Sequence, residues 1–266
     1  MSDAGEASCL AQPATAREDA SVRGRVAWLA EDAARRLAVA LTPRSRRRNA
    51  ALGSHLGALF ASRGVDAAVD VGANRGQYYR FLRHQLGFRG SVLSIEPIPQ
   101  LAAALADQAK FDRQWQVRQC ALGASGGSAT LNVMARPVFS SLRTPDHSAS
   151  SQFAGKNVVA RTVAVDVRRL DDIMSDTGIE GERLYLKLDT QGYDLEVLKG
   201  AAATLSRTVA LQSEVSFVPL YHGMPTWRES IEFIASLGFS VSGLFTVSRD
   251  ASMRLLEADC VFVRTP

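Results

Sequence analysis

The stretch from Ala67 to Gln77 constrains the fold more than any other part of this chain. Ala67-Ala68-Val69-Asp70-Val71 runs into Gly72-Ala73-Asn74-Arg75-Gly76-Gln77, and Tyr78, Leu82 and Leu86 then recur at helical spacing. That order predicts a buried strand, a tight turn and a helix. Gly72 and Gly76 remove side chains where a backbone must turn sharply or approach a ligand closely. Free amides at the helix start would face the same space, which suits a nucleotide-like molecule. A plain structural turn is the competing explanation, because many α/β folds turn on glycine.

The pattern around this stretch predicts a sheet with helical crossovers. Residues 91–95 and 115–120 are further strands, and Pro99 starts a helix over 101–110 as a first-turn proline. Residues 183–188 and 209–215 are the fourth and fifth core strands, with one helix from Asp194 between them, carrying Leu195, Leu198, Ala202 and Leu205. Thr226 followed by Glu229 is a capping box. Residues 239–245 and 259–263 suit an antiparallel finishing pair. The predicted fold is α/β, a seven-stranded mostly parallel sheet with an antiparallel last strand.

Two segments stand apart. Residues 128–134 and 158–167 alternate like an inserted β-hairpin around a long polar loop, the kind of loop that is usually functional or mobile. Before residue 64, residues 1–23 lack a core pattern and read as a disordered tail. Residues 24–63 read as a helical extension, with helices at 26–41 and 50–63. Between them, Arg44-Ser45-Arg46-Arg47-Arg48 is either a patch for an anion, membrane or substrate, or a solvated helix flank.

Charge narrows the function. Of the net charge of +4, residues 1–50 carry nine arginines against six acids, and the remainder holds 22 basic and 21 acidic residues. The predicted domain is therefore near neutral, which argues against a nucleic-acid-coating surface. The three cysteines, Cys9, Cys120 and Cys260, are far apart and form no zinc or disulfide pattern, so a reducing cytoplasm is expected. No apolar run approaches the ~20 residues that span a bilayer.

In an open α/β sheet, ligands bind beyond the carboxyl ends of the strands. Those ends carry Asp70, Glu96, Cys120-Ala121, Asp189 and Glu214. Buried charge is costly unless paired or liganded, so these acids require a reason. Glu96 lies one β-α-β step after the glycine turn, where an acid can bind both ribose hydroxyls. A nicotinamide dehydrogenase shares that acid but needs a middle glycine for its pyrophosphate. Here Ala73-Asn74-Arg75 stands between the glycines. A phosphate-free cationic ligand such as S-adenosyl-L-methionine fits better, with Asp70 and Asp189 near its charge. A nicotinamide-dependent oxidoreductase and a non-catalytic binding module remain the alternatives.

Residues 69–77, Ile95-Glu96-Pro97, Ala121-Leu122-Gly123 and residues 186–201 resemble the FkbM-type methyltransferases. The order and spacing fit from about residue 65 to the end. The resemblance implies a Rossmann-like class I fold, S-adenosyl-L-methionine as donor, and O-methylation of a sugar, glycan or secondary metabolite. It implies that Asp70, Gly72, Ala73, Asn74, Gly76 and Gln77 surround the methionine part. Glu96, beside Pro97, would hold the ribose, with Cys120 and Ala121 by the adenine. Asp194 departs from the Glu more usual in the family.

For transfer to a hydroxyl, the candidate bases are Asp189, Glu214 and His222. Asp189 and Glu214 could instead share a magnesium ion (Mg2+), whose oxygen ligands they would supply. The 135–157 loop and the Arg44 to Arg48 run are where acceptor contacts are expected, with Ser141, Gln191, Tyr221 and His222 as substrate-binding candidates. Lys187, inside a predicted buried strand, is expected to pair with an acid such as Glu214. The partner is a small-molecule or glycan acceptor, with peripheral membrane contact through the arginine run as an open possibility.

Overall fold

Alternation along the strands divides the core between two sheet faces. The computed structural model describes residues 44–148, 153, 155–179 and 181–265. The expected tail at 1–23 and helix at 26–41 lie outside the described residues. The chain divides into compact units 1–49 and 50–266. In chain order the described elements begin with α1 (Arg44–Arg63), β1 (Ala67–Val71), α2 (Gln77–Arg80) and a π-helical turn (Phe81–Gln85). Next come β2 (Ser91–Ile95), α3 (Pro99–Ala109), β3 (Trp115–Arg118), β4 (Ala121–Leu122) and β5 (Gly127–Met134). After β6 (Val159–Arg168) come α4 (Leu170–Thr177), β7 (Leu184–Leu188), α5 (Asp194–Lys199) and α6 (Ala202–Arg207). The chain ends with β8 (Thr208–Ser216), α7 (Trp227–Ser236), β9 (Phe239–Arg249) and β10 (Leu255–Arg264).

Seven strands form one sheet in the order β3-β2-β1-β7-β8-β10-β9. The last strand in sequence, β10, is antiparallel to both β8 and β9, while β1, β2, β3, β7 and β8 run parallel. The order reverses between β1 and β7, which opens a crevice at their carboxyl ends. One face packs Val69, Val71, Leu93, Leu186, Leu188 and Leu211 against Leu170, Ile173, Leu198, Leu205 and Ile234 of the helices. The other packs Ala68, Val92, Tyr185, Ala210 and Val261 against Leu52, Leu56 and Leu59 of α1 and against Phe81 and Leu82.

The inserted hairpin is present as β5 and β6, antiparallel over Gly127↔Val167 to Met134↔Val159. Together with β4 it makes a separate three-stranded sheet. The third predicted strand therefore splits after Arg118, and Ala121-Leu122 joins the second sheet. The single helix expected from Asp194 is also two helices. Gly200 is pressed against the Gly123 carbonyl, where a Cβ would lie 2.2 Å from that oxygen. Asp171 then caps the second helix, accepting from the amides of Ala203 (3.1 Å) and Thr204 (2.8 Å). The helix after the glycine turn differs as well, since Leu86 N–H reaches back five residues to Phe81 O at 3.1 Å. The Thr226–Glu229 capping box opens α7 as predicted.

Candidate active site

Gly72 and Gly76 both adopt positive φ, +79° and +75°. At Gly72 a Cβ would sit 2.1 Å from the Asp189 carbonyl, so only glycine lets the β1 turn pass the end of β7. Asn74 is also left-handed, with φ 50°, a conformation that asparagine tolerates better than most residues. Its amide donates to Glu96 Oε2 at 2.7 Å, and Ile98 N–H donates to Glu96 Oε1 at 2.8 Å. Glu96 thus ties the β1 turn to the β2 end. It is buried, and burial pushes its carboxyl up to about 7 against the opposing pull of the two amides. Pro97 beside it is half-buried, and Cys120 and Ala121 are buried at the end of the β3 segment. Gln77 is exposed and its side-chain oxygen accepts from Arg75 N–H at 2.9 Å.

Asp70 does not reach the crevice surface. It is fully buried, and Lys187 Nζ lies 2.9 Å from its Oδ1. Lys187 also lies 3.4 Å from Asp189 Oδ2. The expected Lys187–Glu214 pair is therefore replaced by a Lys187 pair with Asp70 and Asp189. Parallel registry explains it, because Asp70 is opposite Lys187 on the adjoining strand and on the same face. Burial raises the Asp70 pKa, and Lys187 opposes the shift. Farther along this face, the Tyr78 and Tyr185 hydroxyls meet at 2.7 Å, and both reach Gln212 Oε1, at 2.8 and 2.5 Å. Nothing in the sequence pattern marked that cluster.

Asp189 and Glu214 do meet, but an amide stands between them. Gln191 Nε2 donates to Asp189 Oδ1 at 2.9 Å and to Glu214 Oε2 at 2.8 Å. The Glu214 pKa is raised well above the ordinary range, first by burial and then by the charges of Asp189, Glu257 and Asp259. Among the described residues no group of three or more His, Cys, Asp or Glu is placed to hold a metal ion, so the magnesium expectation finds no support in this arrangement. The Tyr221 hydroxyl lies 2.9 Å from Gln191 Oε1 and 2.7 Å from Phe139 O, and its one proton serves either. Ser141 Oγ donates to Gln191 O at 2.8 Å. Gln191, Tyr221 and Ser141 are thus brought together with the two acids. His222 is not: its side chain is 66% exposed and its Nδ1 lies 3.7 Å from Asp146.

Asp194 does more than begin a helix. Its Oδ1 accepts from Thr190 N–H at 2.9 Å and from the Thr190 hydroxyl, and its Oδ2 accepts from Ser213 Oγ at 2.6 Å. The acid therefore pins the turn that carries Gln191. The arginines of the 44–48 run belong to α1, and their side chains lie outside the described residues. No helix among the described residues is long and apolar enough to cross a membrane.

A mostly parallel seven-stranded sheet of this order, with a glycine turn and acids at its carboxyl edge, is a Rossmann-like class I methyltransferase fold. The family model described as the methyltransferase FkbM domain matches residues 70–241, and the chain belongs to that family. It is similar to the 2-O-methyltransferase NoeI of Sinorhizobium fredii, at 26% identity over 63% of this chain and 70% of that one. A solved structure of methyltransferase FkbM from Methylobacillus flagellatus KT is 19% identical at a TM-score of 0.47, covering 74% of this chain and 43% of that one. Fibrillarin from Aeropyrum pernix, solved with natively bound S-adenosyl-L-methionine, is 10% identical at a TM-score of 0.42, covering 74% of this chain and 66% of that one.

Proposed function

We propose that this chain is an S-adenosyl-L-methionine-dependent O-methyltransferase acting on a hydroxyl of a sugar, glycan or other small acceptor. One observation carries the reading: the Gly72–Gly76 turn, Glu96 and Asp189 converge on the β1–β7 crevice, as the hydrogen bonds of Asn74, Ile98 and Asp189 display. The family supports methyl transfer. The relative named a 2-O-methyltransferase supports oxygen as the acceptor atom.

The donor set fits such a cofactor, because it offers carboxylates and glycine backbone rather than a phosphate cradle. Glu96 would hold the ribose, the turn from Gly72 to Gln77 the methionine part, and Cys120 and Ala121 the adenine. When bound, the cofactor supplies an electrophilic methyl carbon on a cationic sulfur. The residues of the chain then have to orient the acceptor hydroxyl and take its proton. Asp189 suits the proton-accepting role best of the three candidates. Its side chain is 35% exposed, and Lys187 and Gln191 hold it at the strand tip. Glu214, whose pKa burial and the neighbouring acids raise, already accepts from Gln191 Nε2 and suits hydrogen bonding to the acceptor instead. His222 points away to Asp146 and suits the rim.

Calorimetric titration with S-adenosylhomocysteine and separately with NAD tests the reading. Binding of S-adenosylhomocysteine alone is expected. Heat from NAD alone would overturn it in favour of an oxidoreductase. With an acceptor identified by methyl incorporation, Asp189→Asn should lower turnover at least about a hundredfold, the scale of general-base catalysis. His222→Ala should leave turnover nearly unchanged.

A further inference from the structure

Gln191 touches both sides of the crevice. Its backbone is left-handed, φ 55°, a conformation that costs a non-glycine residue energy and persists only where neighbours enforce it. Its side-chain amide spans two acids on adjoining strands, Asp189 and Glu214. Its other polar atoms belong to the loop side: Ser141 Oγ donates to its carbonyl at 2.8 Å, and the Tyr221 hydroxyl lies 2.9 Å from Oε1.

The loop is seated through further bonds beside it. Arg143 Nε donates to Gly192 O at 2.7 Å, and Asn132 Nδ2 donates to Arg143 O at 3.1 Å. His222 N–H donates to Thr144 O at 2.9 Å and Asp146 N–H to Leu220 O at 2.8 Å. Residues 139–146 thus lie across the Gln191 turn and the chain after β8. An amide that faced water would be free to rotate away from the two acids. Held from above at its oxygen, it must present its N–H groups to them.

We propose that Gln191 is a positioning residue: it fixes the orientation of Asp189 and Glu214 toward the cofactor side while residues 139–146 are seated on it. The proposal rests on the functional reading above. It makes loop seating and carboxylate orientation a single event. The seated loop would then hold the Asp189 carboxylate toward the cofactor's cationic centre.

The test compares two probes, S-adenosylhomocysteine, neutral at sulfur, and sinefungin, which carries an amine in place of the methylated sulfur. Gln191→Leu keeps the size and the backbone penalty but removes the amide. It should reduce the preference for sinefungin over S-adenosylhomocysteine about tenfold, the worth of one charge-assisted hydrogen bond. S-adenosylhomocysteine affinity itself should stay within about twofold of wild type. Trypsin should cleave after Arg143 about tenfold faster, because cleavage follows the open population. Tyr221→Phe keeps the Gln191 amide but removes the hydroxyl shared by the Gln191 oxygen and Phe139 O, and should move both readouts the same way by about threefold. A residue that merely supports the turn would speed cleavage without changing the ratio of affinities. An unchanged ratio in Gln191→Leu, or in Tyr221→Phe should the first variant not fold, overturns this proposal alone. Failure of the wild type to bind either probe overturns the functional reading and this proposal with it.

Discussion

Replacing Lys187 by methionine isolates the energetics beneath the crevice. Asp70 is fully buried, and Lys187 stands against it as counter-charge at 2.9 Å. Breaking such a pair from one side typically costs ~3–5 kcal/mol. The cost has a ceiling, because Asp70 can take up a proton instead. Burial already raises its pKa, and loss of Lys187 removes the opposing influence. In the variant the native state then binds that proton more readily than the unfolded chain, whose aspartate pKa is ~3.9. Stability falls as pH rises wherever the native state binds the extra proton, by about 1.4 kcal/mol per pH unit. From ~3.9 to pH 7 that slope caps the loss at about 4 kcal/mol, and at pH 5 at about 1.5 kcal/mol. For a unit of the size of residues 50–266, the pH 7 loss corresponds to a fall in Tm of about 10 °C.

Urea unfolding followed by circular dichroism at pH 5, 7 and 8 measures this directly. The variant should lose most stability at pH 8 and recover much of it at pH 5. Adding Asp70→Asn removes the proton requirement, so the double variant should return to within about 1 kcal/mol of wild type and lose the pH slope. An equal loss at all three pH values, or a double variant no better than Lys187→Met, would refute the reasoning.

Three other outcomes follow from single geometries. Gly72→Ala meets the Asp189 carbonyl at 2.1 Å and should cost at least ~2 kcal/mol, read by chemical denaturation, whereas Gly87→Ala has open space and only its φ of +67° to oppose it, about 1 kcal/mol. The Glu96 carboxyl, raised to about 7, contributes stability that is full below the unfolded pKa near 4.5 and lost as pH rises through about 7; Glu96→Gln should remove that slope from the pH–stability curve. Thr226→Ala deletes the bonds that close α7 and should cost about 1 kcal/mol, seen as a fall of a few degrees in Tm.

Much of the framework was legible in local patterns. The strands at Ala67–Val71 and Ser91–Ile95 have the predicted limits, because a short, mostly apolar run bounded by glycine or proline has few other uses. The glycine turn and the cap of α7 were equally local, since each requires particular residue types at fixed spacing. The break at Gly200 was not legible, because the helical pattern continues through it. It comes from the close approach of Gly123, far away in sequence. The departure of Ala121-Leu122 to a second sheet likewise depends on the position of β6.

The site divides along the same line. The sequence by itself determined which chemistry the strand ends carry: an acid before a glycine turn, an acid one crossover later, and two more on the following strands. Position relative to a strand end is a property of the chain, and it can be read without the fold. The tertiary structure alone decided which of those acids face one another and which are neutralised. Registry between β1 and β7 gave Lys187 to Asp70 and Asp189 rather than to Glu214. The left-handed turn after β7 placed Gln191 between Asp189 and Glu214, and the seated loop left His222 outside. Pairing energies act over a few ångströms, so they depend on how distant segments pack, and that was settled only when the sheet and its loop came together.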